Sequence, residues 1–393
     1  MGKLLNREND NRDIMLLCIF LLIQFMNLWH KGLNPYIVFQ YLLCWQYGFM
    51  GRGLIGTLIY PLGYLSAIKL HVIFMAGTII LTVSYVLFFR YILKGFSGEK
   101  RDIVRAVLWT TAFMPQSICM YYLDWGRFDI YLLTLSFLIA WIVLEKKSLY
   151  LIIPICLLEV MIYPGVVFMH FLIAEALLLY LAASNVKNAR TVFWINSITT
   201  GCLFLYFVLV NPSLNLSVEE MKLSMLSRTS VDISPRIPLI DLWFGSNQDN
   251  IAFAYALRGN GLELLFYFVM ISPILLFIGK FFVRYFKGKG SLYTILLAVL
   301  PLGHIPYLLL ETDYGRLYGA FLWSAFILFL AILKTEDAAF EVISGLCLEY
   351  KLRNRIWLLY IYLLLLGTSY EQSIVNISTK LSKLVRPVLA HIL

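Results

Sequence analysis

Long apolar blocks alternate with short polar breaks along this chain, and the blocks run about 15–23 residues, the length of a membrane crossing. Covering a hydrocarbon core of ~30 Å takes about 20 helical residues. A helix also satisfies its backbone hydrogen bonds within itself, which lipid requires. The pattern predicts an all-α fold, a polytopic integral membrane bundle of about 11 (10–12) transmembrane helices. The expected spans are 14–29, 70–89, 106–122, 130–144, 149–163, 166–183, 192–210, 262–282, 292–310, 317–333 and 357–370. A further apolar stretch, 36–64, is broken by glycines and Pro61 and reads as a re-entrant or interfacial segment. Residues 1–393 form one transmembrane domain on this reading.

Composition agrees: 61% of residues are hydrophobic and 14% charged, against roughly half and a quarter in a soluble domain. The start, 1–13, carries both signs of charge, with no cleavage site behind the first apolar run, so no cleavable signal is expected. Asn6 stands where a myristoylation signal needs Ser or Thr. The six cysteines form no Cys-x-x-Cys pair and read as small packing residues, so neither a disulfide framework nor a metal site is expected.

The net charge of +9 follows topology. With the N-terminus in the cytoplasm, the short cytoplasmic breaks hold most of the Lys and Arg, such as Arg90, Lys94, Lys100, Arg101 and Arg105, then Lys146 and Lys147, then Lys280, Arg284, Lys287 and Lys289. Nucleic acid is therefore not an expected partner. Residues 336–355 alternate charge with Phe340, Val342, Ile343, Leu346 and Leu348 and read as a cytoplasmic amphipathic helix. A tail, 371–393, then lies outside.

Two outer segments are long: 30–69, and a large periplasmic loop, 211–261, between spans seven and eight. In the loop, Ser217-Val218-Glu219-Glu220 is a capping box opening a short helix through Leu226. Arg228, Asp232, Arg236 and Asp241 follow, and Trp243 and Phe244 suit docking back on the membrane surface.

The only internal echo is Asp-aromatic-Gly-Arg, at Asp124-Trp125-Gly126-Arg127 and again at Asp313-Tyr314-Gly315-Arg316. Each seam faces outward and opens a helix. The first turn of that helix presents unpaired N–H groups and a positive dipole end, and an Arg there adds to an anion-attracting spot. The same Asp and Arg can also pair with each other and close a tight hairpin. A third outer Arg, Arg52, sits among Gly48, Gly51, Gly53 and Gly56, where the backbone can approach a ligand closely. The alternative there is an interfacial turn with Arg52 reaching to headgroups.

Ionisable residues at membrane depth are functional candidates. Glu159 and His170 flank the break Tyr163-Pro164-Gly165, and His304 lies between Pro301 and Pro306. Hydrogen bonding between helices is their plainer role. Glu175 and Glu263 read as more peripheral, and Asp129 as a complement to its helix dipole. Together these residues describe an outward-facing site. Arg52, Arg127 and Arg316 are expected to hold anionic groups such as a lipid diphosphate; Asp124, Asp313, Glu159, His170 or His304 is available to move a proton; and Trp125 and Tyr314 could stack on sugar rings. No Walker loop, dinucleotide fingerprint or Asp-x-Asp metal motif is present, so no cofactor is expected.

The stretch Gly48-Phe49-Met50-Gly51-Arg52-Gly53-Leu54-Ile55-Gly56 resembles an Arg-Arg-Gly-Leu-(Ile/Leu)-Gly segment of bacterial O-antigen and capsular polysaccharide polymerases, the Wzy class. Asp313–Arg316 is similar to their late Asp-x-Gly-Arg element. Gly51 occupies the place of the first Arg. The resemblance implies a glycosyltransferase of the bacterial inner membrane that joins undecaprenyl-diphosphate-linked repeat units on the periplasmic face. It implies as partners those glycans, the lipid bilayer and a chain-length regulator protein. Asp313 and His304 are then the first choices for base because they share a seam. Two other classes compete. A monosaccharide transferase using a lipid-phosphate sugar usually needs a first-loop carboxylate, and 34–69 has none. A lipid-linked glycan transporter should carry deep charges and paired halves.

Overall fold

Polar residues at the breaks begin the helices by capping them. The structure is a computed structural model and describes residues 12–19, 21–22, 32–113, 118, 121, 125–145, 147–210, 214–240, 261–306 and 314–350. Asn34 Oδ1 accepts from the Tyr36 N–H at 2.9 Å, and Pro35 supplies the preset φ of a first helical residue, opening α1 (Pro35–Leu42). Ser66 caps α3 (Ala67–Leu93), which follows the short α2 (Gly53–Ile59). Next come α4 (Gly98–Phe113), α5 (Asp129–Leu144), α6 (Ile152–Ile162), α7 (Phe171–Ala183) and α8 (Ala189–Leu209). The loop helix α9 (Val218–Ser227) carries the expected capping box in full, Ser217 and Glu220 each closing on the other's backbone. The chain ends, as described, with α10 (Gly261–Tyr285), α11 (Leu292–Val299), α12 (Tyr314–Thr335) and α13 (Ala338–Glu349).

Among the described residues the fold is all-helical, with one isolated parallel bridge between Leu65 and Thr229. Three helices among the described residues, Ala67–Leu93, Ala189–Leu209 and Tyr318–Thr335, are long and apolar enough to cross a membrane, and several shorter apolar helices join them. On α3 the residues Ile68, Val72, Ile79, Ile80, Val83 and Leu87 are exposed while Leu70, Phe74, Leu81 and Phe89 are buried. An apolar outer skin of this kind is compatible with lipid contact. The expected span 357–370 and the tail lie outside the described residues, as do Trp243 and Phe244.

Helix α7 is the hub. Every residue from Phe171 to Ala182 is buried, and α7 packs against α5, α6, α8, α11 and α12. The segment 36–64 folds as two short helices turned into the bundle. At eight residues α1 is about 12 Å long, too short to cross, and Ile37–Leu42 are all buried. Gly56 makes the turn-back feasible: a Cβ there would lie 1.7 Å from the Leu43 carbonyl oxygen. The 214–240 loop docks on this segment. Asn215 N–H donates to the Tyr47 carbonyl at 2.8 Å, Tyr47 and Ser224 hydroxyls meet at 3.0 Å, and Leu65 N–H donates to the Arg228 carbonyl at 2.7 Å.

The opposite end of the bundle is lysine-rich. Helix α13 buries Phe340, Ile343 and Leu346, an amphipathic stripe as expected, and leaves Leu348 exposed. Lys100 bonds Asp337 at 2.7 Å, and that hydrogen bond together with the lysine charge holds the Asp337 carboxyl below its usual range.

Candidate functional site

Arg52 stands at the entrance to α2 with φ 69°, in the left-handed region that non-glycine residues rarely adopt. Such a backbone costs of order 1–3 kcal/mol and persists where its surroundings hold it. They do so here. Trp45 Nε1 donates to the Met50 carbonyl at 3.0 Å, and the Trp45 N–H donates to Thr57 Oγ1 at 2.8 Å. Gly51 rests on the break before α7: a Cβ there would stand 2.5 Å from Pro164 Cγ. A larger residue in place of this glycine would have to displace Pro164. The result is an Arg52 guanidinium 4.8 Å over the Tyr163 ring, a cation–π placement.

Arg316, in the first turn of α12, reaches the same ring, 5.5 Å from its centre. It is 8% exposed. Its Nη2 donates to Asp129 Oδ1 and Oδ2, both at 2.7 Å. Asp129 is the first residue of α5, so the arginine of the second seam pairs with the helix that follows the first seam. This corrects the reading of Asp129 as a dipole complement.

A second arginine pair forms beside the first. Arg127 lies 5.9 Å over the ring of Tyr36, and Arg236, from the turn Ser234–Arg236, lies 5.9 Å over the same ring. Asn34 and Pro35 fix Tyr36 at the head of α1. Arg127 and His170 are both within electrostatic reach of the Asp129 carboxylate, which links the two centres. Arg228 has a different task. It lies 4.4 Å over Tyr60 and donates to the Leu42 carbonyl and the Tyr47 hydroxyl, each at 3.3 Å, so it fastens the loop to the buried segment.

The proton-transfer candidates separate. His170 is fully buried, with Nε2 3.5 Å from the Tyr121 hydroxyl and Nδ1 without a hydrogen-bond partner among the described residues. His304 Nδ1 is 2.8 Å from the Phe168 carbonyl. A carbonyl only accepts, so Nδ1 carries the proton and Nε2 of the neutral ring is left as the acceptor. Glu159, one turn before Tyr163, is fully buried, and neither carboxyl oxygen has a partner among the described residues. Asp124 and Asp313 lie outside the described residues.

Two expectations change. Trp125 is 3% exposed, its indole edge-on to His71 and Phe74 at 5.3 and 5.6 Å. It packs in the bundle and offers no open face for a sugar. Gly126, at φ 87°, brings the seam so close that a Cβ would lie 2.4 Å from Phe74. Glu175, expected at the periphery, is buried and accepts from Asn196 Nδ2 at 2.8 Å and Ser197 Oγ at 2.7 Å, because α8 packs along α7. Tyr314 is the first residue of α12.

Sequence reading missed Tyr163 and Tyr36 as platforms. The signal was there only in part: Tyr163 precedes the Pro-Gly break, and Tyr36 follows an Asn-Pro cap. In sum, four arginines from different parts of the chain meet at two tyrosines, with a buried carboxylate and two imidazoles beside them. This arrangement can hold two anionic groups close together and take up a proton. No protein family, curated protein or solved structure matches the chain.

Proposed function

We propose that the protein is a bacterial inner-membrane glycosyltransferase, a polysaccharide polymerase joining undecaprenyl-diphosphate-linked oligosaccharide repeat units. In this reading the chain crosses the membrane about 11 times, the N-terminus is cytoplasmic, and the arginine-rich end faces the periplasm. The observation that carries it is the pair of centres, Arg52 with Arg316 at Tyr163 and Arg127 with Arg236 at Tyr36. Joining two lipid-linked glycans requires two diphosphates to be held near one another. Arginine forks suit diphosphate oxygens.

The chemistry follows from the placement. The acceptor hydroxyl oxygen attacks the anomeric carbon of the donor glycan. The bond from that carbon to the diphosphate oxygen breaks, and the diphosphate leaves with the electron pair. Arg52 and Arg316 meet the developing negative charge, commonly the largest catalytic contribution. The hydroxyl proton passes to a neutral imidazole, His304 or His170, or to Asp313 or Asp124. Asp129 serves Arg316 as a positioning group, since both its oxygens accept from that arginine.

The test is surface glycan and lipid-linked intermediates from cells lacking the protein. Polymerase predicts single complete repeat units where a ladder stood. A repeat short by one sugar would make it a monosaccharide transferase. Complete units trapped on the cytoplasmic leaflet would make it a transporter.

A further inference from the structure

A cavity of about 340 Å³ lies between α10, α11, α12 and α7, apart from the arginine centres. Its lining runs along α11 and the turn after it, from Thr294 to His304, about 15 Å at 1.5 Å per residue. The walls are almost wholly apolar, and small residues on three helices, Gly279, Ala298 and Ala325, widen it. Gly279 faces open space: a Cβ built there meets nothing within 4 Å. The cavity is not sealed, because Val283, which also lines it, is 73% exposed. Its neighbours outside, Leu276, Ile295 and Leu302, are exposed and apolar, so the opening gives sideways onto the surface that lipid would cover.

One end of the groove is polar. His304, at the end of the turn after α11, is in its lining, His170 lies within electrostatic reach of His304, and Asp129 and Arg316 lie within reach of His170. A long apolar slot, open to lipid along its side, thus leads at its head toward the cationic centre at Tyr163. A ligand matching that layout has a hydrocarbon chain attached directly to a small anionic head. We propose that the groove holds the hydrocarbon chain of a polyprenyl diphosphate, with the diphosphate directed past His304 toward Arg316. A bulk phospholipid fits less well, because its glycerol and second chain intervene between one chain and the phosphate. The identity of the lipid rests on the function proposed above; the groove and its opening do not.

The experiment uses the full chain in nanodiscs with a photoreactive polyprenyl phosphate as probe, and peptide mapping of the label. The expected label falls on peptides bearing Gly279, Ala298 and Ala325. Excess unlabelled polyprenyl diphosphate removes it, and equal excess phosphatidylglycerol does not. Gly279→Leu puts its Cβ in open space and its side chain in the slot, and should cut labelling at least about tenfold, a change of ~1.4 kcal/mol in binding, while the thermal midpoint is held. Label elsewhere, label indifferent to Gly279→Leu, or equal competition by phosphatidylglycerol overturns the assignment. Failure of the proposed function reads differently: labelling at the groove with an unchanged surface-glycan ladder in cells lacking the protein keeps the lipid site and removes the polymerase. Single repeat units in those cells, with no label at the groove, do the reverse.

Discussion

The two Asp-aromatic-Gly-Arg seams are nearly the same in sequence and quite different in the folded chain. At the first, Arg127 precedes α5, is half-buried and lies over Tyr36. At the second, Arg316 is inside the first turn of α12, buried, and bonded to both oxygens of Asp129. The aromatic residue differs as well: Trp125 is packed against His71 and Phe74. The difference teaches that an arginine beside a helix start has two uses. One arginine is locked in place by a buried carboxylate and can only offer a fixed charge. The other keeps partial exposure and can adjust to what it meets.

The largest expected effect separates the two seams directly. Arg316→Ala removes the donor to both oxygens of the buried Asp129, and breaking a buried pair in this way costs about 3–5 kcal/mol. Arg127→Ala should change folding by ~1 kcal/mol or less, as for half-exposed charges. Thermal melts of the purified protein in detergent check both, and equal losses would erase the distinction. Replacing both partners, Arg316→Met with Asp129→Leu, should recover most of the stability, since an apolar pair of similar volume often matches a buried ion pair.

Next in size is catalysis at the more exposed seam. Arg127→Ala should reduce joining of repeat units about 10- to 10²-fold, the ~1.5–3 kcal/mol of a lost hydrogen bond to a charged group, in protein that still inserts and melts normally. A purified-protein assay with lipid-linked repeat units measures it. An unchanged rate would assign Arg127 to packing alone.

Restoring the polymerase pattern with Gly51→Arg tests the Tyr163 centre. The new side chain meets Pro164, and overpacking of this kind costs about 1–3 kcal/mol. The melt should fall by that amount and Arg52 should lose its place over Tyr163. A melt like the parent's would show that the 163–165 break yields easily.

The smallest effect belongs to the Tyr36 platform. Tyr36→Leu removes the ring beneath Arg127 and Arg236, worth about 0.5–2 kcal/mol for a cation–π contact, whereas Tyr36→Phe keeps the ring and should lose less. Acceptor KM at saturating donor reads this out. Equal behaviour of the two variants would mean that the ring plays no part in holding the arginines.

Much of the helix pattern was legible in the residues themselves. Ser217 and Glu220 announced α9, Asn34 and Pro35 opened α1, and the glycines and Pro61 of 36–64 marked a segment that turns back. The stripe of Phe340, Ile343 and Leu346 gave α13. These features are local: a cap, a turn or an amphipathic face depends on residues a few positions apart. Arg52 was singled out by the glycines around it and Arg316 by opposite charges at an apolar seam, which are also local signals. Asp129 as the partner of Arg316, Tyr163 and Tyr36 as shared platforms, the burial of Trp125 and Glu175, and the slot ending at His304 were decided only by the tertiary structure. Each depends on the register at which distant helices pack. Periodicity shows that a helix has an apolar face, but the neighbour that covers it, and the polar group that neighbour brings, follow from the close fit of the whole bundle.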